Sequence, residues 1–105
     1  MEANGFIFLS GQLPIDPNTG KIISDIKDAT RQTLTNIQSL LGEIGLSLSD
    51  VVKITIFLTN IADFPAVNEI YAGFFPQEPP ARSAAEVSSI PKGAPIDIDT
   101  IAIRR

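Results

Sequence analysis

Between Ile26 and Ile44 the apolar side chains recur three and four residues apart: Ile26, Ala29, Leu34, Ile37, Leu40, Leu41 and Ile44, with Thr33 in phase. At 3.6 residues per turn these positions share one stripe, so the spacing predicts an amphipathic helix. Ser24 or Asp25 supplies its N-cap, Asp25 and Asp28 sit by the positive end of the helix dipole, and Gly45 is the residue type that ends a helix. A stripe of this length has to be covered by another apolar surface.

The rest of the chain offers that surface as strands. From Val51 to Thr59 the residues alternate, with Val52, Ile54, Ile56 and Leu58 on one face and Lys53, Thr55, Phe57 and Thr59 on the other. Phe6–Leu9 reads as an earlier strand continued by Gln12–Ile15. Asp16-Pro17-Asn18-Thr19-Gly20 is a turn from which Lys21-Ile22-Ile23 can return as a second hairpin arm. Asp63 caps a second helix running to Phe75, with Pro65 tolerated in its first turn and Phe64, Val67, Ile70 or Tyr71, and Phe74 as its buried stripe. Pro76-Gln77-Glu78-Pro79-Pro80 must be an extended loop. Strands follow at Arg82–Val87 and Ile96–Arg104, separated by a turn over Ser88–Pro95. The order is β-β-α-β-α-β-β within one domain, residues 1–105. That order implies an α+β sheet with both helices on one face.

Two helices cover only one face, yet the strands are apolar on both. Phe6 and Phe8 oppose Ile7 and Leu9, and Ile96 and Ile98 oppose Ile101 and Ile103. Self-association through the second face is the favoured expectation over scattered exposed residues.

Composition narrows the chemistry. The 105 residues include no His, Cys or Trp, which removes disulfides, thiol nucleophiles, Ser-His-Asp triads and thiolate or imidazole metal sites. Eight basic against twelve acidic residues give a net charge of −4, the wrong sign for a protein whose main partner is nucleic acid. Met1–Asn4 lacks the features of a signal peptide, and no apolar run approaches membrane-spanning length. A soluble, cytoplasmic protein is expected.

Carboxylates, Arg, Lys, hydroxyls and backbone groups remain. Arg82 opens a strand after the Pro-rich loop and is followed by small residues, Ser83, Ala84 and Ala85. It is either a surface arginine paired to a nearby acid, which the pattern alone favours, or a planar cation with room for a carboxylate. Asp97 and Asp99 lie inside a strand, where Asp is disfavoured. Either their face meets solvent or one of them orients water. Tyr71, among Phe64, Phe74 and Phe75, reads as core. Gly11 allows close backbone approach to a ligand or simply bends a strand. Lys53 reads as a solvated lysine, and Glu86 as structural.

Several blocks, in order, resemble the RidA (YjgF) family of reactive-intermediate deaminases, also described as L-PSP endoribonucleases or translation inhibitors. They are Phe8-Leu9-Ser10-Gly11-Gln12-Leu13-Pro14, Asp16–Gly20, Val51–Leu58, Asp63-Phe64 through Val67-Asn68-Glu69-Ile70-Tyr71, Pro80-Ala81-Arg82-Ser83 and Ile101–Arg105. The resemblance implies a chorismate-mutase-like α+β fold, a homotrimer with clefts between subunits, and hydrolysis of 2-imino and 2-enamino acids to 2-keto acids and ammonia without metal or organic cofactor. It implies that Arg82 holds the substrate carboxylate, that backbone groups at Ser83 and Ala84 line the cleft, that Asp97 acts on the attacking water, and that Gly11 and Asn68 border the site.

The sequence also departs from the family pattern. Ala84 stands where the family often has Cys, and Asp97 where it has Glu, one methylene longer; an error of about an ångström in placing a water can cost about a hundredfold in rate. The family's N-terminal first strand and its loop with a cleft tyrosine precede the blocks matched here. A non-catalytic 2-keto-acid-binding or chaperone-like protein therefore stands as an alternative. An endoribonuclease is disfavoured by the charge and the missing histidine.

Overall fold

A computed structural model describes the whole chain, residues 1–105. Five strands, β1 (Glu2–Ala3), β2 (Phe6–Gln12), β3 (Val51–Leu58), β4 (Ala81–Glu86) and β5 (Ile96–Ile103), form one sheet in the order β1-β2-β5-β3-β4. Helix α1 spans Ile26–Glu43 and α2 spans Phe64–Phe74. The β1–β2, β2–β5 and β5–β3 pairs are antiparallel, and β3–β4 is parallel. A parallel pair needs a crossover connection, which α2 provides.

The helix reading holds in detail. Asp25 is the N-cap of α1 and accepts a hydrogen bond from the Asp28 N–H at 3.1 Å, and Gly45 follows the helix at φ 78°, a conformation that costs a glycine little. Ala29, Thr30, Thr33, Leu34, Ile37 and Leu41 are buried. The helix meets Ile54, Ile56, Leu58, Ile96 and Ile98, all wholly buried, in one core that also takes Val67 and Tyr71 from α2. Each such side chain contributes about 1.5–3 kcal/mol relative to exposure. Both helices lie on this face, as the element order implied, and Tyr71 rather than Ile70 fills the stripe of α2.

One local expectation is corrected and one is narrowed. A bulge at Val51–Lys53 puts Val51 into the core and leaves Val52 only partly covered; strict alternation had assigned Val52 inward. Lys21–Ile23 does return antiparallel to Pro14–Asp16, the Asp16 N–H donating to the Lys21 carbonyl and the Ile23 N–H to the Pro14 carbonyl, both at 2.9 Å, but the pairing is confined to the single Ile15–Ile22 bridge. Pro14 has no N–H to give, and the Leu13–Ile15 segment is tied to α1 by the Asn36 side-chain amide, which donates to the Ile15 carbonyl at 2.9 Å. A further hairpin lies at the N-terminus, where β1 pairs with β2 across Asn4-Gly5, both at positive φ (53° and 84°). Asn-Gly is the residue pair that such two-residue turns favour.

The open face of the sheet carries Phe57, Asp97, Asp99, Ile101 and Ile103, all partly covered, beside Phe6 and Phe8 at 40% and 43% exposure. No helix is long and apolar enough to cross a membrane.

Candidate active site

Strand β4 is the sheet edge, and its register with β3 sets the direction of every side chain on it. Arg82 pairs with Ile54 and Ala84 with Ile56, so both point to the helix side; Ser83 pairs with Thr55 and points to the open side. Arg82 thereby comes under α2. Its Nη1 donates to Asn68 Oδ1 at 2.6 Å. Its guanidinium carbon lies 5.0 Å from the centre of the Phe64 ring and 4.7 Å from that of Tyr71.

No acid pairs with Arg82. The ion pairs of the chain are Lys27–Glu69, Arg31–Asp28, Arg104–Glu2 and Arg105–Asp50. Glu86, on the same face two register steps away, instead accepts from the Ile61 N–H at 2.8 Å. The surface ion pair that the sequence pattern favoured for Arg82 is therefore absent. In its place is a half-buried cation hydrogen-bonded to a neutral amide, in a cleft of about 380 Å³ that Asn68, Tyr71, Phe75, Pro79 and Pro80 line with it. Such a cation retains N–H donors for an anion, and the apolar walls strengthen the attraction.

Asp97 lies elsewhere. It pairs with Phe57 on the open face, the side of the sheet opposite Arg82. The register shift in β2 between Leu9 and Gln12 carries Gly11 up to it. A Cβ on Gly11 would fall 2.9 Å from Asp97 Oδ2 and 3.0 Å from its carboxyl carbon, so the small residue is what lets the carboxylate occupy this place. Oδ1 is buried without a hydrogen-bond partner. Burial, and secondarily the negative charge of Asp99, raises the Asp97 carboxyl above the usual range, with the Ile98 N–H pulling the other way.

Of the residues singled out in sequence, the fold thus makes two groups: Arg82, Asn68 and Ala84 on the helix side, and Gly11, Asp97 and the Ser83 side chain on the open side. Lys53 is not merely solvated, because its Nζ donates to Ser83 Oγ at 2.7 Å. The residue that sequence reasoning missed is Tyr71, buried as expected of core but with its ring face against the Arg82 charge. The signal was the spacing Phe64, Asn68, Tyr71, which places all three on one face of a helix. No group of three or more acidic side chains gathers as an ion site.

Residues 1–104 match the family model described as Endoribonuclease L-PSP. The chain is similar to a RutC family protein of Pyrococcus horikoshii, 49% identical over 105 residues that make up 99% of this chain and 83% of the relative. It is 38% identical to the 2-iminobutanoate/2-iminopropanoate deaminase of Salmonella typhimurium, over 100% of this chain and 84% of that one. Among solved structures it superposes on Escherichia coli TdcF with bound serine at a TM-score of 0.94 and 36% identity, covering 100% of this chain and 85% of TdcF.

Proposed function

This chain belongs to the Endoribonuclease L-PSP family, which includes proteins named reactive intermediate deaminases, and from that premise we propose that it hydrolyses 2-imino and 2-enamino acids, 2-iminobutanoate and 2-iminopropanoate among them, to 2-keto acids and ammonia. The observation that carries the reading is Arg82: a cation with no acid partner, held in an aromatic-walled cleft. A planar carboxylate is the anion whose two oxygens match the guanidinium fork. The TdcF relative binds serine, which has such a carboxylate.

The reaction needs water to add to the C=N carbon and ammonia to leave from the resulting carbinolamine. Asp97 accepts a proton from the attacking water and returns one to the departing nitrogen, work suited to a carboxyl that burial raises above the usual carboxylate range. In one chain Arg82 and Asp97 face opposite sides of the sheet. Their joint action therefore requires the Asp97 face of one copy to approach the Arg82 edge of another. The apolar open face, with Phe6 and Phe8 exposed, supports that assembly as a homotrimer with clefts between subunits. Gly11 and Asn68, with backbone groups of Ser83 and Ala84, would border each cleft.

A second reading, binding of 2-keto acids without turnover, is favoured by Ala84 in place of a thiol and by the shorter acid at position 97. The decisive assay follows decay of an imine made by an amino-acid oxidase, alongside calorimetry with 2-ketobutyrate. Wild-type protein is expected to speed the decay. Arg82→Ala should lose both binding and turnover, and Arg82→Lys should restore little, since an ammonium lacks the fork. Asp97→Asn should keep binding and lose turnover, and Asp97→Glu should keep or raise the rate. Binding without any acceleration by the wild type would favour the second reading. RNA cleavage that survives nuclease removal and vanishes in Arg82→Ala would overturn both.

A further inference from the structure

We propose that Tyr71 and Phe64 are positioning residues for Arg82, two aromatic rings that fix the plane of its guanidinium and leave its free N–H edge turned to the ligand. This rests on the reading of Arg82 as the carboxylate anchor.

An arginine on an edge strand is a poor anchor by itself. Its long side chain has many rotamers, and whatever freedom is lost on binding is subtracted from affinity. Strand β4 offers little to hold it, for every other residue of that strand is exposed. The restraint comes from α2. Phe64 and Tyr71 present ring faces 5.0 and 4.7 Å from the guanidinium carbon, inside the range in which a ring's negative face attracts a cation. Asn68, between them on the same helix face, takes a single Nη1 hydrogen bond. The guanidinium makes no other hydrogen bond, so most of its five N–H groups remain open.

Tyr71 is itself held. It is 4% exposed and packs on Phe75 with ring centres 4.8 Å apart. Its hydroxyl is buried without a partner, so the hydroxyl anchors nothing, and the ring is the part that meets the charge. A phenylalanine at this position should serve equally, whereas an aliphatic residue of similar bulk should not.

The test compares Tyr71→Leu, Tyr71→Phe and Phe64→Leu with the wild type. Calorimetry with 2-ketobutyrate gives Kd, imine hydrolysis gives KM and kcat separately, and NMR follows the Arg82 Nε–H signal, identified by its absence in Arg82→Lys. Both leucine variants are expected to weaken Kd and raise KM about three- to thirtyfold, with a smaller change in kcat. Tyr71→Phe should return both to within about twofold of wild type on the same grounds. In the wild type the two rings should shield the Nε proton, and the shielding should fall in each leucine variant and persist in Tyr71→Phe. An unshielded wild-type signal, or leucine variants that bind like wild type, would overturn the clamp. If Tyr71→Leu does not fold, Phe64→Leu, at a partly exposed site, decides by the same readouts. If wild type binds no 2-keto acid, the anchor reading fails, and the NMR signal still decides the clamp.

Discussion

Asp97 is less stable where it stands than an ordinary surface acid. Its pKa in the folded chain lies above its unfolded value, from burial and then from Asp99, so the folded state holds this proton more tightly. Stability is therefore gained as pH falls through the raised value and lost as pH rises through it. Asp97→Asn, which keeps the shape without the charge, should raise the melting temperature at neutral pH. The difference should close in acid, below the ordinary carboxylate range. Thermal scans at several pH values test this, and a melting temperature lowered at neutral pH would contradict it. Gly11 is the partner in this arrangement. Gly11→Ala sets a methyl against the end of the Asp97 side chain rather than against backbone, so its stability cost should be modest, about 1 kcal/mol. Its effect on turnover should be larger, because the carboxylate must move.

At the scale of elements, two side chains bind α1 to its surroundings. Asp25 caps the helix and Asn36 holds the Leu13–Ile15 loop against it. Asp25→Ala should cost about 1 kcal/mol in urea unfolding. Asn36→Leu should cost about 1–3 kcal/mol by stranding the Ile15 carbonyl, and it should loosen the Asp16–Gly20 turn in hydrogen exchange before it lowers global stability. Equal protection of that turn in both proteins would show that the bond is not what holds the loop. Strand β4 makes the complementary point. Its register with β3, not its composition, decides that Arg82 faces the aromatics of α2 while Ser83 turns to Lys53.

For the whole molecule, the open sheet face and the separation of Arg82 from Asp97 lead to one expectation. Light scattering should give three times the 11.3 kDa chain mass, and Phe8→Asp should yield smaller species with little turnover. A mixing experiment is sharper. Arg82→Ala and Asp97→Asn chains, each inactive, should regain activity when co-refolded, since random assortment restores about a quarter of clefts built from two copies of the chain. No recovery in mixed trimers would mean that the two residues do not act across a subunit boundary.

Much of this molecule follows from local chemistry. The stripe from Ile26 to Leu41 and the glycine after it determine α1, and the Asn4-Gly5 pair carries the N-terminal hairpin, a signal that the strand-by-strand reading passed over. Alternation in Ile96–Ile103 fixes which residues face the helices. The sequence blocks around Gly11, Asn68 and Arg82 are enough to identify the family, because each keeps its residue types and spacing. Local pattern fails where a single residue changes phase. The bulge in β3 exchanges Val51 for Val52, and the shift in β2 brings Gly11 to Asp97; both depend on what the neighbouring strand demands. Only the tertiary structure decides that Arg82 has no acid partner, that Tyr71 meets it with a ring face, and that Asp97 lies across the sheet. Those are relations between elements distant in the chain, set by strand register and helix docking, and no periodicity within one segment encodes them.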